Sequence, residues 1–135
     1  MIALAAAALM LAGGSADSEH ATARRHWREQ RARDYSYVVH RSCFCLGAGP
    51  ARIRVVNRRP RDTPATFENV DTARELFAWA RRALRSEGEH RVVYRPRLGL
   101  PKLIDADPIA GAVDDEYSYR VTGLRITRRY PPNGG

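Results

Sequence analysis

A two-residue alternation of apolar and polar side chains, repeated along the chain, does most to limit the folds open to it. In DYSYVVHRSC, Tyr35, Tyr37 and Val39 fall on one side of an extended backbone, and Ser36, Val38 and His40 on the other. ARIRVVN sets Ala51, Ile53 and Val55 against Arg52 and Arg54, the pattern of a strand with one face in the core and one in water. Gly47, Gly49 and Pro50 between these runs predict an antiparallel hairpin with an irregular loop. In DEYSYRVTGLRIT the phase changes: Tyr117, Tyr119 and Val121 are odd-numbered, Leu124 and Ile126 even-numbered. A phase change within one strand requires a bulge or sharp bend, and Gly123 lies where it happens.

Helical spacing appears twice. Residues 17–33 read as a thin polar helix whose one good apolar pair is Ala23 and Trp27. After a loop, NRRPRDTPATFENV, Thr72 and Glu75 form a capping box. Ala73, Leu76, Phe77, Ala80 and Leu84 then make the stripe of a helix lying on a sheet, with Trp79 beside it and Gly88 as its end. HRVVY and KLID are short strands joined through GLP. The order α-β-β-α-β-β-β, with short connections, predicts an α+β fold: a mostly antiparallel sheet with helices on one face.

The chain opens on MIALAAAALMLAGGSA, an apolar run closed by small residues, with Gly14 and Ala16 matching the small-x-small pattern of a signal-peptide cleavage site. Residues 1–16 are therefore expected to be a signal peptide and residues 17–135 a single α+β domain. At about twelve residues the run is too short for a transmembrane segment. The expected location is periplasmic or extracellular, where cysteines oxidise.

The net charge of +8 comes from 22 arginines and one lysine, Lys102, against 15 acidic residues. It predicts attraction to anionic surfaces without specificity. For an exported protein these are an acidic protein or an anionic envelope polymer rather than nucleic acid.

Several short patterns occur in a fixed order: Trp27, DYSY (34–37), CFC (43–45), T-x-x-x-L-F (72–77), V-x-Y (92–94), GLP (99–101) and D-D-E-x-x-Y (114–119). Together they resemble a family of small bacterial secreted proteins and lipoproteins, a domain of unknown function. The resemblance implies export and the same element order, and it brings no assigned activity. The chain departs from the pattern at Arg95-Pro96, where an aspartate is expected, and at Leu100, where an aromatic is expected before the turn proline.

Cys43 and Cys45 are the only cysteines. Two positions apart on a strand, their Cα atoms are roughly 6.6 Å from each other, near the upper limit for a disulfide. A bend at Phe44 closes that gap, and the small ring contributes only about 1.6 kcal/mol, a local clip. Redox chemistry and a soft metal ion held with His40 stay open as readings, although His40 has the opposite strand parity. Asp105, Asp107 and Glu116 have a partial calcium-loop spacing, with Ile109 at a ligand position. There is no G-x-S-x-G, H-E-x-x-H or Gly-rich phosphate loop, and no cofactor is implied. Arg52, Arg54 and Arg58 share a parity, and Arg41 and Arg120 are expected to join them on a solvent-facing sheet surface. The expected function is a non-catalytic binding module of the envelope, and the alternative is a redox or metal-handling protein centred on the cysteines.

Overall fold

The computed structural model describes residues 15–42, 49–107 and 116–132. Cys43, Cys45, Asp114, Asp115 and most of the apolar leader lie outside the described residues. Helix α1 (Ser15–Glu29) leads into strand β1 (Ala32–Ser42), followed by β2 (Ala51–Val56) and β3 (Arg59–Arg61). A 3₁₀ turn (Ala65–Val70) precedes helix α2 (Ala73–Leu84), and β4 (His90–Tyr94), β5 (Pro101–Ala106) and β6 (Tyr117–Arg129) complete the order. The strands form one sheet in the order β3-β2-β1-β6-β5-β4, and every neighbouring pair is antiparallel. The architecture is α+β.

The structure corrects the element order by adding β3 and the 3₁₀ turn, both within the stretch read as loop. Their sequences hid them for a physical reason. Arg59-Pro60-Arg61 is fully exposed and has no inward partner to give it alternation. Pro60 is tolerated there because the strand lies at the sheet edge, where a missing N–H is not felt. The tight turn feeding β3 places Asn57 and Arg58 at positive φ.

Helix α1 stops before residue 33. Gln30 and Arg31 N–H groups bond back to the carbonyls of Trp27 and Arg28, and Arg31 adopts a left-handed conformation (φ 49°) that turns the chain into β1. Helix α2 starts where the capping residues place it: Thr72 is extended, and its Oγ1 accepts from the Glu75 N–H at 3.3 Å. The Glu75 carboxyl bonds the Thr72 hydroxyl (3.4 Å) instead of closing the reciprocal half of the box. Leu84 ends the helix, four residues ahead of Gly88.

The core lies between one sheet face and α2. Tyr37, Val39, Ile53, Val55, Tyr119, Val121 and Ile104 meet Leu76, Ala80 and Val70, all essentially buried. The bulge falls at Gly123 (φ 62°): Ser36 faces Arg125 while Val38 faces Thr122, so two steps along β1 span three along β6. Tyr119 and Val121 therefore point inward above the bulge, and Ile126, opposite Tyr35, packs inward below it. Gly99 has φ 84°, and a Cβ there would run into the carbonyl of Ala23. The absence of a side chain in GLP is what lets α1 dock against the turn into β5.

Candidate functional site

The sheet face away from α2 carries the expected arginines in a register the antiparallel pairing determines. Arg52 is opposite Val38, Arg54 opposite Ser36, and Arg120 opposite His40 and Leu103. Arg54 also faces Arg61 of β3, and Ser36 faces Arg125 of β6. One cross-strand row therefore reads Arg61-Arg54-Ser36-Arg125, with Arg52 in the next row, opposite Val38, and Arg120 in the row after that, opposite His40. All five arginines are exposed. Neighbouring strands lie about 4.8 Å apart, so Arg54 and Arg61 are like charges directly opposed, an arrangement that destabilises a free sheet. The ion pairs among the described residues engage only Arg25, Arg33 and Arg128.

Two expected members of this surface lie elsewhere. Arg41 has the parity of Tyr35, Tyr37 and Val39, so it faces the helix side. There its Nη1 donates to the Thr66 carbonyl at 3.0 Å, and its guanidinium lies 5.8 Å from the Tyr119 ring centroid. Arg58 sits in the positive-φ turn and stacks 4.5 Å from the ring centroid of Tyr130. Parity within one strand is readable from sequence, but relative parity across a hairpin depends on register. In their place the register adds Arg61 and Arg125. A signal for Arg125 existed: the phase change at Gly123 puts odd-numbered residues outside below it.

Beneath the sheet, β1 grips the start of α2 through two tyrosines. The Tyr37 hydroxyl donates to the Val70 carbonyl (2.6 Å), and the Tyr35 oxygen accepts from the Ala73 N–H (2.9 Å). Burial pushes both phenols up, that of Tyr37 beyond the usual range. Asp71 is buried in the same junction. Desolvation, together with a hydrogen bond to Asp71 and its charge, pushes the Glu75 carboxyl up to about 7. These groups are fastened to the helix cap and to each other, so their arrangement explains packing first.

Ser86 and His90 offer a hydroxyl beside an imidazole at 3.4 Å, but it is not an activated pair. The Ser86 hydroxyl donates to the Ala83 carbonyl (2.7 Å), and His90 Nδ1 faces the Gly88 carbonyl (3.2 Å). An Nδ1 that donates to a carbonyl cannot accept the serine proton.

Asp105, Asp107 and Glu116 line one hollow at the β5–β6 end, with Glu89 and His90. Asp105 lies on the sheet opposite Arg91, whereas Asp107 is past the strand, its N–H bonded to the Glu89 carbonyl. Among the described residues no three His, Cys, Asp or Glu side chains gather closely enough to hold a metal ion. His40 is exposed on the arginine face, and Cys43 and Cys45 fall outside the described residues. No described helix is long and apolar enough to cross a membrane.

No curated protein and no solved structure matches the chain. A family of unknown function, DUF6174, matches residues 19–126, from the first turns of α1 to Ile126 of β6. That span takes in α1 from Glu19 onward, all of α2, five whole strands and the bulged strand through its change of phase, and the chain belongs to this family of unknown function.

Proposed function

We propose that the protein is an exported, non-catalytic binding module of the cell envelope that recognises an acidic protein or an anionic polymer through the open sheet face. The observation that carries this reading is the row Arg61-Arg54-Ser36-Arg125, followed along the same face by Arg52 and then Arg120, none of these arginines in an ion pair among the described residues. Guanidinium groups at fixed strand spacing suit repeated acidic groups, because each offers a fork of donors to a carboxylate or phosphate. The leader sequence supports export, and an oxidising compartment supports Cys43–Cys45 as a local clip. A redox or metal-handling role is the alternative, and it requires those two cysteines as reversible thiols. The intact mass of the mature protein, alkylated with and without reductant, separates a bridge from thiols and also gives the mature N-terminus.

Binding to poly-L-glutamate and to dextran sulfate, with neutral dextran as control, tests the main reading. Affinity for the polyanions should fall steeply with added salt, and R52Q/R54Q/R125Q should weaken it about tenfold or more. Equal binding of neutral dextran, or an unchanged affinity in the triple variant, rules the sheet face out.

A further inference from the structure

A second cationic surface is built on the other side of the molecule, independently of the sheet face. Helices α1 and α2 run past one another so that His20 meets Phe77 edge-on (5.9 Å) at one end, while Trp27 meets Tyr35 (5.1 Å) near the start of α2. Between them lies an open cleft of about 1130 Å³. Its floor is apolar: Tyr35 and Phe77 are buried and Trp27 is half-buried, with buried Ala32 and Ala73 beside them and exposed Ala78 at the edge. Its rim is a ring of arginines, Arg24, Arg28 and Arg31 from the α1 side, Arg74 and Arg81 from α2, and Arg58 from the β2–β3 turn. None of the six is in an ion pair among the described residues.

The charges converge on the cleft. Arg24 and Arg81 both lie close enough to His20 to add to the burial that holds its imidazole below the ordinary value. At the far end the charge of Arg58 pulls the Tyr35 phenol down, against the burial that raises it. Among the described residues the one carboxylate in the lining, Glu75, is turned to Thr72 and Asp71. Ligand pockets combine an apolar, aromatic floor with a few polar groups that orient the ligand. Here the floor would be left wet and the rim self-repelling without an occupant that answers both.

We infer that the cleft between α1 and α2 binds an amphipathic organic anion, its apolar body on Trp27, Tyr35 and Phe77 and its acid group held by the rim arginines. From His20 to Arg28 the α1 wall runs roughly 12 Å at helical rise, and Arg31 and Arg58 extend the rim beyond it, so an elongated molecule fits better than a compact one. A free inorganic anion would use the rim alone, and an uncharged hydrocarbon the floor alone.

The two tryptophans provide a reporter and an internal control. Trp27 is in the cleft, whereas the indole of Trp79 donates to the Asn69 carbonyl (2.9 Å) and packs on Tyr117, away from it. The full chain, labelled with nitrogen-15, is titrated with dodecanoate, dodecyltrimethylammonium, inorganic phosphate and hexaglutamate while both indole N–H signals are followed. Dodecanoate should shift the Trp27 signal saturably and leave Trp79 in place. The cationic analogue should not compete, and phosphate should bind about tenfold more weakly or worse. R24Q/R81Q, at two exposed rim positions, should weaken dodecanoate about tenfold, while R52Q/R54Q should not change it. Equal binding of the cationic analogue, movement of both indoles together, no saturation at millimolar ligand, or equal loss in R52Q/R54Q would each overturn the inference. A Trp27 shift with hexaglutamate and none with dodecanoate would also overturn it, in favour of an acidic peptide. Polyanion binding on the sheet face is read separately, so failure of one site leaves the other standing.

Discussion

The open sheet face and the interhelical cleft are both lined by arginines that are in no ion pair among the described residues, yet they differ in how the charges come together. On the sheet, the spacing of strands and pleats sets a flat row whose apolar neighbours, Val38, Val56, Val93 and Leu103, are half-buried in the pleat. In the cleft, two helices and a turn contribute arginines around a floor of buried rings. A flat charged row can reward only a ligand with many acidic groups, and salt should weaken it steeply. A concave site with a rim and a floor can reward one molecule for both its charge and its apolar surface. Like composition thus supports two kinds of recognition, and shape decides between them.

The largest expected effect breaks the cleft and spares the sheet. Gly99→Ala places a Cβ against the Ala23 carbonyl at a positive φ, and it should cost about 2 to 4 kcal/mol. Because α1 docks at that point, dodecanoate binding should vanish while the folded fraction keeps its affinity for poly-L-glutamate. Denaturant unfolding and the two titrations check this. Loss of both affinities in the folded fraction would mean that the regions are not independent.

Next comes the converse. R52Q/R54Q/R125Q should lower polyanion affinity about tenfold, equivalent to about 1.4 kcal/mol, with the Trp27 response to dodecanoate intact. Removing opposed like charges should leave stability unchanged or slightly higher, read as the urea midpoint.

Tyr37→Phe removes the hydroxyl that donates to Val70 at 2.6 Å, in the junction that separates the two regions. The cost should be about 1 to 2 kcal/mol, because the carbonyl is left without that partner, and neither binding activity should change more than twofold or so.

The smallest effect is a pH dependence confined to the cleft side. Glu75 titrates at about 7 in the folded protein against 4.5 for a free carboxyl. Between these values the native state holds the extra proton, so the Glu75 contribution to stability falls as pH rises from about 4.5 to about 7. His20, lowered by burial, contributes with the opposite slope. The difference between the parent and Glu75→Gln isolates the carboxyl: the variant should lose this decline, seen as a thermal midpoint that holds up better toward neutral pH. An identical pH profile in the two proteins would remove Glu75 as the source.

Much of the fold was legible because period and phase are local properties. Tyr35, Tyr37 and Val39, or Ala51, Ile53 and Val55, declare a buried face within a few residues. The change of parity between Val121 and Leu124 announced the bulge at Gly123 that the pairing with β1 contains. Thr72 likewise marked the start of α2, since a cap is a local bond. Strand β3 stayed hidden because an exposed three-residue edge strand buries nothing, and α1 ran short because its end is made by Arg31 bonding across to Tyr130.

The candidate sites divide along the same line. Arg52 and Arg54 could be assigned to one surface from alternation alone, and the strands carry them there. The sequence by itself determined the α+β class, the inward faces, the helix cap and the excess of positive charge, all of which follow from residue chemistry at short range. Only the tertiary structure decided that Arg61 and Arg125 complete the row, and that Arg24, Arg58 and Arg81 share a cleft with Trp27. Those placements depend on register and on helix docking, where residues far apart in the chain become neighbours through contacts that no local pattern encodes.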